Sequence, residues 1–512
     1  MTLAQRCGAH GPAREAACAA VLRQVHDAGI EQVRVAWADL HGSYRSKTVV
    51  CSGDASPGAS EGASQGASQD ASEAARDNAL AHALQQGVGM VSTLLLKDTA
   101  DRTAFKIFEP GALAKLPGFG QANNLLLLPD PASFTVLPWA AHTGWLRAEA
   151  FWEDGSVVEV DPRRVLQRAL AALAEQGYGL KCGLEIEFHI YRITDDGLAV
   201  EAAGWPAEPP ALRHTHPGYR LLAEEHADLL DEALAIVRRT ALGLGLPLRS
   251  LEIEFGPSQV EAVFAATDAL TAADQLLQFR NAMRQALRRA GFYASFVCKP
   301  PLPHSVASGW HLHQSLVDRD GHNMMARAAP NGNEQGARLW LSDAGAHWLA
   351  GLLAHAPALA ALCAPSIPAY SRFRASTMAP QAAVWGRDNR GAMLRVIGGP
   401  GDVATRIENR IGEPMANPYL AIAAQVWAGL HGLQHRLQAP PEAGAPYDPA
   451  HPLLPATLHE ALQALAQDPV LQQGLGAPLM QVYQAVKQQE LAHHAQAEDK
   501  ALWERCEYFG RY

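Results

Sequence analysis

The seven cysteines of this 512-residue chain are scattered, and no two stand in a CxxC pair. That spacing excludes a disulfide framework and a cysteine zinc site, and it reads as reduced thiols of a cytoplasmic protein. Basic residues are outnumbered by acidic ones, 42 to 52, for a formal charge of -10. No basic stripe is visible, so nucleic acid is not an expected partner. Long hydrophobic runs are missing as well. The first twenty residues mix Arg6, His10, Arg14 and Glu15 with alanines, unlike the apolar core of a signal peptide. The greasiest stretch, 348–365, is interrupted by His355, Pro357 and Pro365, which makes a poor membrane span and a good buried helix pair. A Walker A motif is absent, which excludes a P-loop nucleotide site.

What is present is a globular composition, 48% apolar, in a chain long enough for two domains. A helix is expected at 12–28, followed by a hairpin of strands that ends at Cys51. Residues 52–78 are low-complexity Gly, Ala, Ser and Gln, too poor in apolar surface to offset their ordering entropy, and are expected to form a flexible insert. Short strands are predicted at 94–96 and 124–128, and helices at 221–242, 272–290 and 337–362. The domain boundary is placed near residue 140, dividing 1–140 from 141–512.

The chemistry is concentrated in strands. In Gly183-Leu-Glu-Ile-Glu-Phe188, the residues Leu180, Cys182, Leu184, Ile186, Phe188 and Ile190 alternate with Glu185, Glu187 and His189. Strict alternation is the period of a β-strand, so one face is greasy and the other carries two carboxylates and an imidazole. Adjacent carboxylates repel unless a cation or proton lies between them. One such strand is an ordinary wet sheet face. The pattern recurs, however, with Glu252 and Glu254 followed by Glu261, with His311 and His313, and with Arg406, Glu408 and Arg410. Four such strands point to a funnel lined by metal ligands. A set richer in carboxylates than in imidazoles suits Mg²⁺ or Mn²⁺ rather than zinc. Arginines beside these ions suit bidentate binding of phosphate or carboxylate, and metals with arginines imply phosphoryl transfer.

These segments resemble the glutamine synthetase family. The matching pieces run in family order: Gly183–Phe188, Glu254-Phe-Gly-Pro-Ser-Gln-Val-Glu261, Lys299-Pro300, Ser308-Gly-Trp-His-Leu-His-Gln-Ser-Leu316, Asn389-Arg-Gly-Ala-Met-Leu-Arg395, Arg406-Ile-Glu-Asn-Arg410 and Asn417-Pro-Tyr-Leu420. The resemblance implies an α+β fold, with a β-grasp N-terminal domain and a catalytic domain built on a curved antiparallel sheet. It also implies a dodecamer of two stacked hexameric rings with active sites shared between neighbouring subunits. By position, Glu187, Glu254 and Glu261 hold one divalent ion, and Glu185, His311 and Glu408 the other. Arg390 and Arg395 align with arginines that handle ATP phosphates, His313 to Ser315 with the nucleotide pocket, and Arg372 and Arg410 with the clamp on L-glutamate. The chemistry implied is phosphorylation of the γ-carboxylate by ATP, then amine attack on the acyl phosphate.

Three departures from the ammonia-using pattern stand out. Met378 occupies the position of the family's flap glutamate, which binds and deprotonates ammonium; a thioether does neither but packs against alkyl or aryl groups. The same loop continues to Trp385-Gly386, as in relatives that use organic amines. Val306-Ala307 stands where the family has Asn-Gly at the contact to the glutamate amino group. The N-terminal aspartate loop is not recognisable, with Asp98 and Asp101 both open as its counterpart. The reading favoured is a ligase joining glutamate to an organic amine. The alternatives are an ammonia-dependent glutamine synthetase and a catalytically silent binding or regulatory ring. Glu252 is read as a surface residue in a salt bridge, and His189 is left out of the ligand set.

Overall fold

A computed structural model describes residues 1–51, 79–328, 335–374 and 378–512. The expected insert at 52–78 therefore lies outside the described residues. The chain divides into two compact units: Met1–Asp39, Ser43–Leu96 and Phe105–Arg164 form the first, and Leu40–Gly42, Lys97–Ala104 and Val165–Tyr512 the second.

The first unit contains strands β1 (Gln32–Ala38), β2 (Tyr44–Val50), β3 (Val88–Val91), β4 (Asn124–Pro129), β5 (Thr135–Val136) and β6 (Thr143–Phe151). They pair in the order β2-β1-β6-β4-β3, with β5 on β6. Helix Pro12–Asp27 presents Cys18, Val21 and Val25 to a cluster with Val33 and Leu146 from the sheet. β6 pairs with both β1 and β4, so the first unit continues past the boundary expected near 140. The predicted strand at 94–96 is instead part of a 3-10 turn, Ser92–Leu96, with Leu95 and Leu96 fully buried. A short apolar run reports burial but does not by itself distinguish a strand from a buried turn.

Among the described residues, the second unit is built on nine strands: β7 (Gly179–Asp195), β8 (Ala211–His214), β9 (Leu248–Ile253), β10 (Gln259–Asp268), β11 (Phe292–Ser295), β12 (Trp310–Val317), β13 (Trp385–Arg387), β14 (Leu394–Ile397) and β15 (Arg406–Gly412). Their order is β13-β14-β15-β12-β7-β10-β9, with β8 and β11 also paired to β7. The long strand β7 therefore sits between β12 and β10, and both pairings are antiparallel. Its apolar residues are buried almost completely, Cys182, Ile186, Phe188 and Ile190 at 0% exposure. Phe188 stacks on Phe296 at 5.0 Å and meets the edge of Phe279 at 5.7 Å. Phe279 lies on helix Ala269–Arg289, whose first turn is capped by the Asp268 carboxylate accepting from the Thr271 N–H at 3.0 Å. Each such apolar side chain contributes roughly 1.5–3 kcal/mol when fully buried. A one-residue slip would turn all of them outward, so the register is fixed and Glu185 and Glu187 are held on the opposite face.

Two expected helices are broken. The 221–242 segment is Glu224–Leu229 followed by Asp231–Gly243. The 337–362 segment becomes a 3-10 turn, Gly336–Leu339, and two buried helices, Asp343–Ala354 and Ala356–Cys363, bent by 76°. The ring of Pro357 has no N–H to continue the ladder, which accounts for the break beside His355. Among the described residues no single helix is long and apolar enough to cross a membrane.

Candidate active site

Cross-strand register brings the acids together. Glu185 on β7 faces His311 on β12, Glu187 faces Glu261 on β10, and Glu408 on β15 faces both His313 on β12 and Arg395 on β14. Two sets of ligand atoms result, each within 4.8 Å of one another: Glu185 with His311 and Glu408, and Glu187 with Glu261 and His311. His311 Nδ1 lies 3.4 Å from Glu185, 3.8 Å from Glu408 and 3.9 Å from Glu261. It is buried, yet it makes no hydrogen bond of acceptable geometry. Those distances fit several donors turned toward a common point better than they fit a set of hydrogen bonds.

Electrostatics separates the two sets. Glu187 is pushed up to about 8, first by desolvation and then by the neighbouring Glu254. Glu261 is pushed up to about 10, by burial and then by Glu187, Glu185 and Glu254. Burial also opposes charge on Glu185 and Glu408, but imidazoles and arginine outweigh it. His311 and His313 hold Glu185 well below the usual carboxylate range, and His311 and Arg410 hold Glu408 down. Burial, with Arg410, lowers His311 to about 4, leaving the imidazole neutral and able to act as a ligand. Crowded oxygen donors that lack a counter-charge, beside a neutral imidazole with an unpartnered nitrogen, match the requirements of a divalent cation, so the residues present fit a metal.

Glu254 stands apart from this pattern. The strand that the alternation of Glu252 and Glu254 implied ends at Ile253, and Glu254 begins the turn to β10; its N–H donates to the Gln259 carbonyl at 3.0 Å. It is half-buried, is raised first by its own desolvation, and enters neither three-residue ligand set. Glu252, read from sequence as a surface ion-pair residue, instead faces Glu261 across β9 and β10 and accepts from Ser250 Oγ at 2.8 Å. The antiparallel β9–β10 register, and not parity alone, sets this pairing.

Arg372, Arg395 and Arg410 are already engaged. Glu408 is fully buried, with Oε2 3.2 Å from Arg395 Nη1 and Oε1 bonded to Arg410 Nη1. Arg395 also donates from Nε to Asp388 at 3.0 Å. Arg410 reaches the carbonyls of Arg390 and Met378 at 3.1 and 3.3 Å. Arg372 is buried and donates to the carbonyls of Arg410, Ile411 and Gly412 at 2.6, 3.2 and 2.8 Å. Arg390 is exposed. His313 accepts from Arg406 Nε at 3.1 Å on Nδ1, and its Nε2 stands 2.9 Å from Glu185 Oε1. Ser315 Oγ donates to the Thr405 carbonyl at 3.2 Å.

Gln259 and Gly309 are contributors that alternation alone did not single out. Gln259 Nε2 donates to Glu187 Oε2 at 2.9 Å and to Ser308 Oγ at 3.0 Å, and lies 3.3 Å from the Ala307 carbonyl. The Gly309 N–H donates to the same Glu187 oxygen at 3.0 Å. Together they fix the rotamer of a ligand carboxylate. Met378 is exposed at 67% with φ 56°, whereas Trp385 is fully buried and donates to the Pro440 carbonyl at 2.8 Å, so Trp385 belongs to the core and not to a pocket wall. Asp98 is turned inward as well, accepting from the Ala100 and Arg102 N–H groups and from Arg102 Nη1.

This is the donor set of an oxygen-rich divalent-cation centre rimmed by guanidinium groups. Residues 159–508 match the family model for the glutamine synthetase catalytic domain. The chain is 35% identical to a gamma-glutamylanilide synthase of Acinetobacter over 96% of its own length and 95% of that protein. It is 34% identical to the gamma-glutamylethanolamide synthetase of Streptomyces coelicolor over 73% of this chain and 76% of the other. A solved GmaS–ADP complex superposes with a TM-score of 0.72 at 26% identity, covering 95% and 98% of the two chains. The chain belongs to the glutamine synthetase family, and its α+β architecture is that family's.

Proposed function

We propose that the protein is an ATP-dependent ligase that joins the γ-carboxylate of L-glutamate to an organic amine. The observation that carries this reading is Met378, an exposed thioether whose backbone carbonyl meets Arg410 Nη2, in a chain similar along nearly its whole length to a gamma-glutamylanilide synthase. Ammonium and alkylammonium ions must lose a proton before their nitrogen can attack. An arylamine is neutral near pH 7 and needs no such base, so a thioether in place of a carboxylate costs it nothing and offers apolar contact.

In this reading Glu187 and Glu261, joined by Glu254 from the turn after β9, would hold one Mg²⁺ or Mn²⁺ ion, and Glu185, His311 and Glu408 would hold a second. Bound there, the ions neutralise and orient the phosphate oxygens of ATP. A γ-carboxylate oxygen of glutamate attacks the γ-phosphorus, ADP leaves, and γ-glutamyl phosphate forms. The amine lone pair then attacks the acyl carbon, phosphate leaves, and the amide nitrogen gives up its proton. Arg390 and Arg395 bind charge on the transferring phosphoryl group, His313 and Ser315 lie along the nucleotide, and Arg372 and Arg410 position glutamate, with Ala307 near its amino group. The reading extends to a cytoplasmic dodecamer of two hexameric rings.

The test is ADP release with glutamate, ATP and Mg²⁺ or Mn²⁺, against ammonia, ethanolamine, alkylamines, polyamines and aniline. Aromatic amines are expected to give the highest kcat/KM. Ammonia as the best acceptor overturns the reading in favour of glutamine synthesis. No turnover with any acceptor favours a silent ring.

A further inference from the structure

His431 and His435 stand one helical turn apart on helix Pro418–His435, with ring centroids 4.5 Å apart. Both line an open pocket of about 670 Å³ that also includes Arg168, Trp427 and Gln473. Nothing in the ligation chemistry uses them. Behind His431 runs a chain of polar contacts. Asp468 Oδ2 is 2.6 Å from His355 Nδ1, and His355 Nε2 is 3.0 Å from His431 Nδ1. Asp468 is also the N-cap of helix Pro469–Leu475, its Oδ1 accepting from the Leu471 N–H at 3.0 Å.

This chain sets the tautomers. The Asp468 carboxylate can only accept, so His355 Nδ1 carries a hydrogen. With His355 neutral, its Nε2 is then an acceptor and must receive the hydrogen of His431 Nδ1. His431 Nε2 is left with a bare lone pair at the pocket, beside the ring of His435. A carboxylate that orients an imidazole through its far nitrogen is the arrangement found behind histidine metal ligands. Imidazole pairs at i and i+4 prefer Zn²⁺, Ni²⁺ or Cu²⁺ to the hard ions that carboxylates select.

We propose that His431 and His435 form a second metal site, separate from the acidic cluster, that takes one late first-row divalent ion, with Asp468 and His355 as positioning residues. The probe is Zn²⁺, titrated at pH 8 into the full-length protein in excess Mg²⁺, and bound zinc is counted per chain. The double variant His431→Gln/His435→Gln is expected to bind one zinc fewer than wild type. Asp468→Asn retains the helix cap, since Asn caps as well as Asp. Its amide presents a donor to His355, however, which reverses both tautomers and places a hydrogen on His431 Nε2. Zinc affinity at this site is expected to fall about 10–100-fold, the range for loss of such a supporting group. Equal zinc stoichiometry in wild type and the double variant overturns the site. Unchanged affinity in Asp468→Asn, with the double variant still one zinc short, overturns the positioning chain.

Discussion

Adding Mn²⁺ to the metal-free protein tests the acidic cluster most directly, because the structure fixes how many protons must leave. At pH 7, Glu187 at about 8 and Glu261 at about 10 each retain a proton in the absence of a cation. Glu185 is already ionised, and His311 at about 4 is already neutral, so neither adds to the count. Ligation requires the carboxylates in their charged form. Filling both ligand sets at pH 7 should therefore release about two protons per chain from Glu187 and Glu261, together with any that Glu254, itself raised by burial, still carries, and fewer at pH 9. The sign follows: apparent affinity rises with pH, more steeply below pH 8 than between 8 and 10. Isothermal titration in buffers of different ionisation enthalpy reads the proton count directly. A count of zero at pH 7, with affinity flat from pH 6 to 8, would mean that these carboxyls are not crowded as described.

Two substitutions follow from contacts around the site. Gln259→Ala removes the amide donor from Glu187 and Ser308 and should weaken Mn²⁺ binding about 10–100-fold; an unchanged Mn²⁺ isotherm would argue against its positioning role. Arg280 is buried and donates to the carbonyls of Gly42, Pro414 and Ala416, each at 2.8 Å. Arg280→Ala strands buried acceptors and should cost about 3–5 kcal/mol in a denaturant titration, and a loss below about 1 kcal/mol would contradict the burial.

The site was most legible where alternation was longest. β7 repeats apolar and acidic residues over its centre, so the face of Glu185 and Glu187 followed from period alone, and β12 and β15 behaved likewise. Alternation assigns a residue to a face but says nothing of what stands opposite. Glu252 was misread for that reason, since only the β9–β10 register shows Glu261 across from it. Glu254 was misplaced because strand ends depend on the following turn, here one in which Ser258 adopts φ 64°. The arginines could be named as cations but not as already occupied. The carbonyls that engage Arg372 belong to Arg410, Ile411 and Gly412, far along the chain and silent in any sequence pattern. The break beside Pro357 was legible, because a proline inside an apolar run signals a helix pair, whereas the break at Leu230, with no proline near it, was not.

One consequence of β7 reaches beyond ligand identity. Glu185 and Glu187 each supply a different ligand set, yet they are successive residues on the same side of one strand. Their separation is therefore the repeat of an extended backbone, about 6.4–6.8 Å, and not a product of side-chain reach. Shortening either acid to aspartate would empty its own centre while leaving the pitch between the two centres untouched. The ruler is the peptide chain itself.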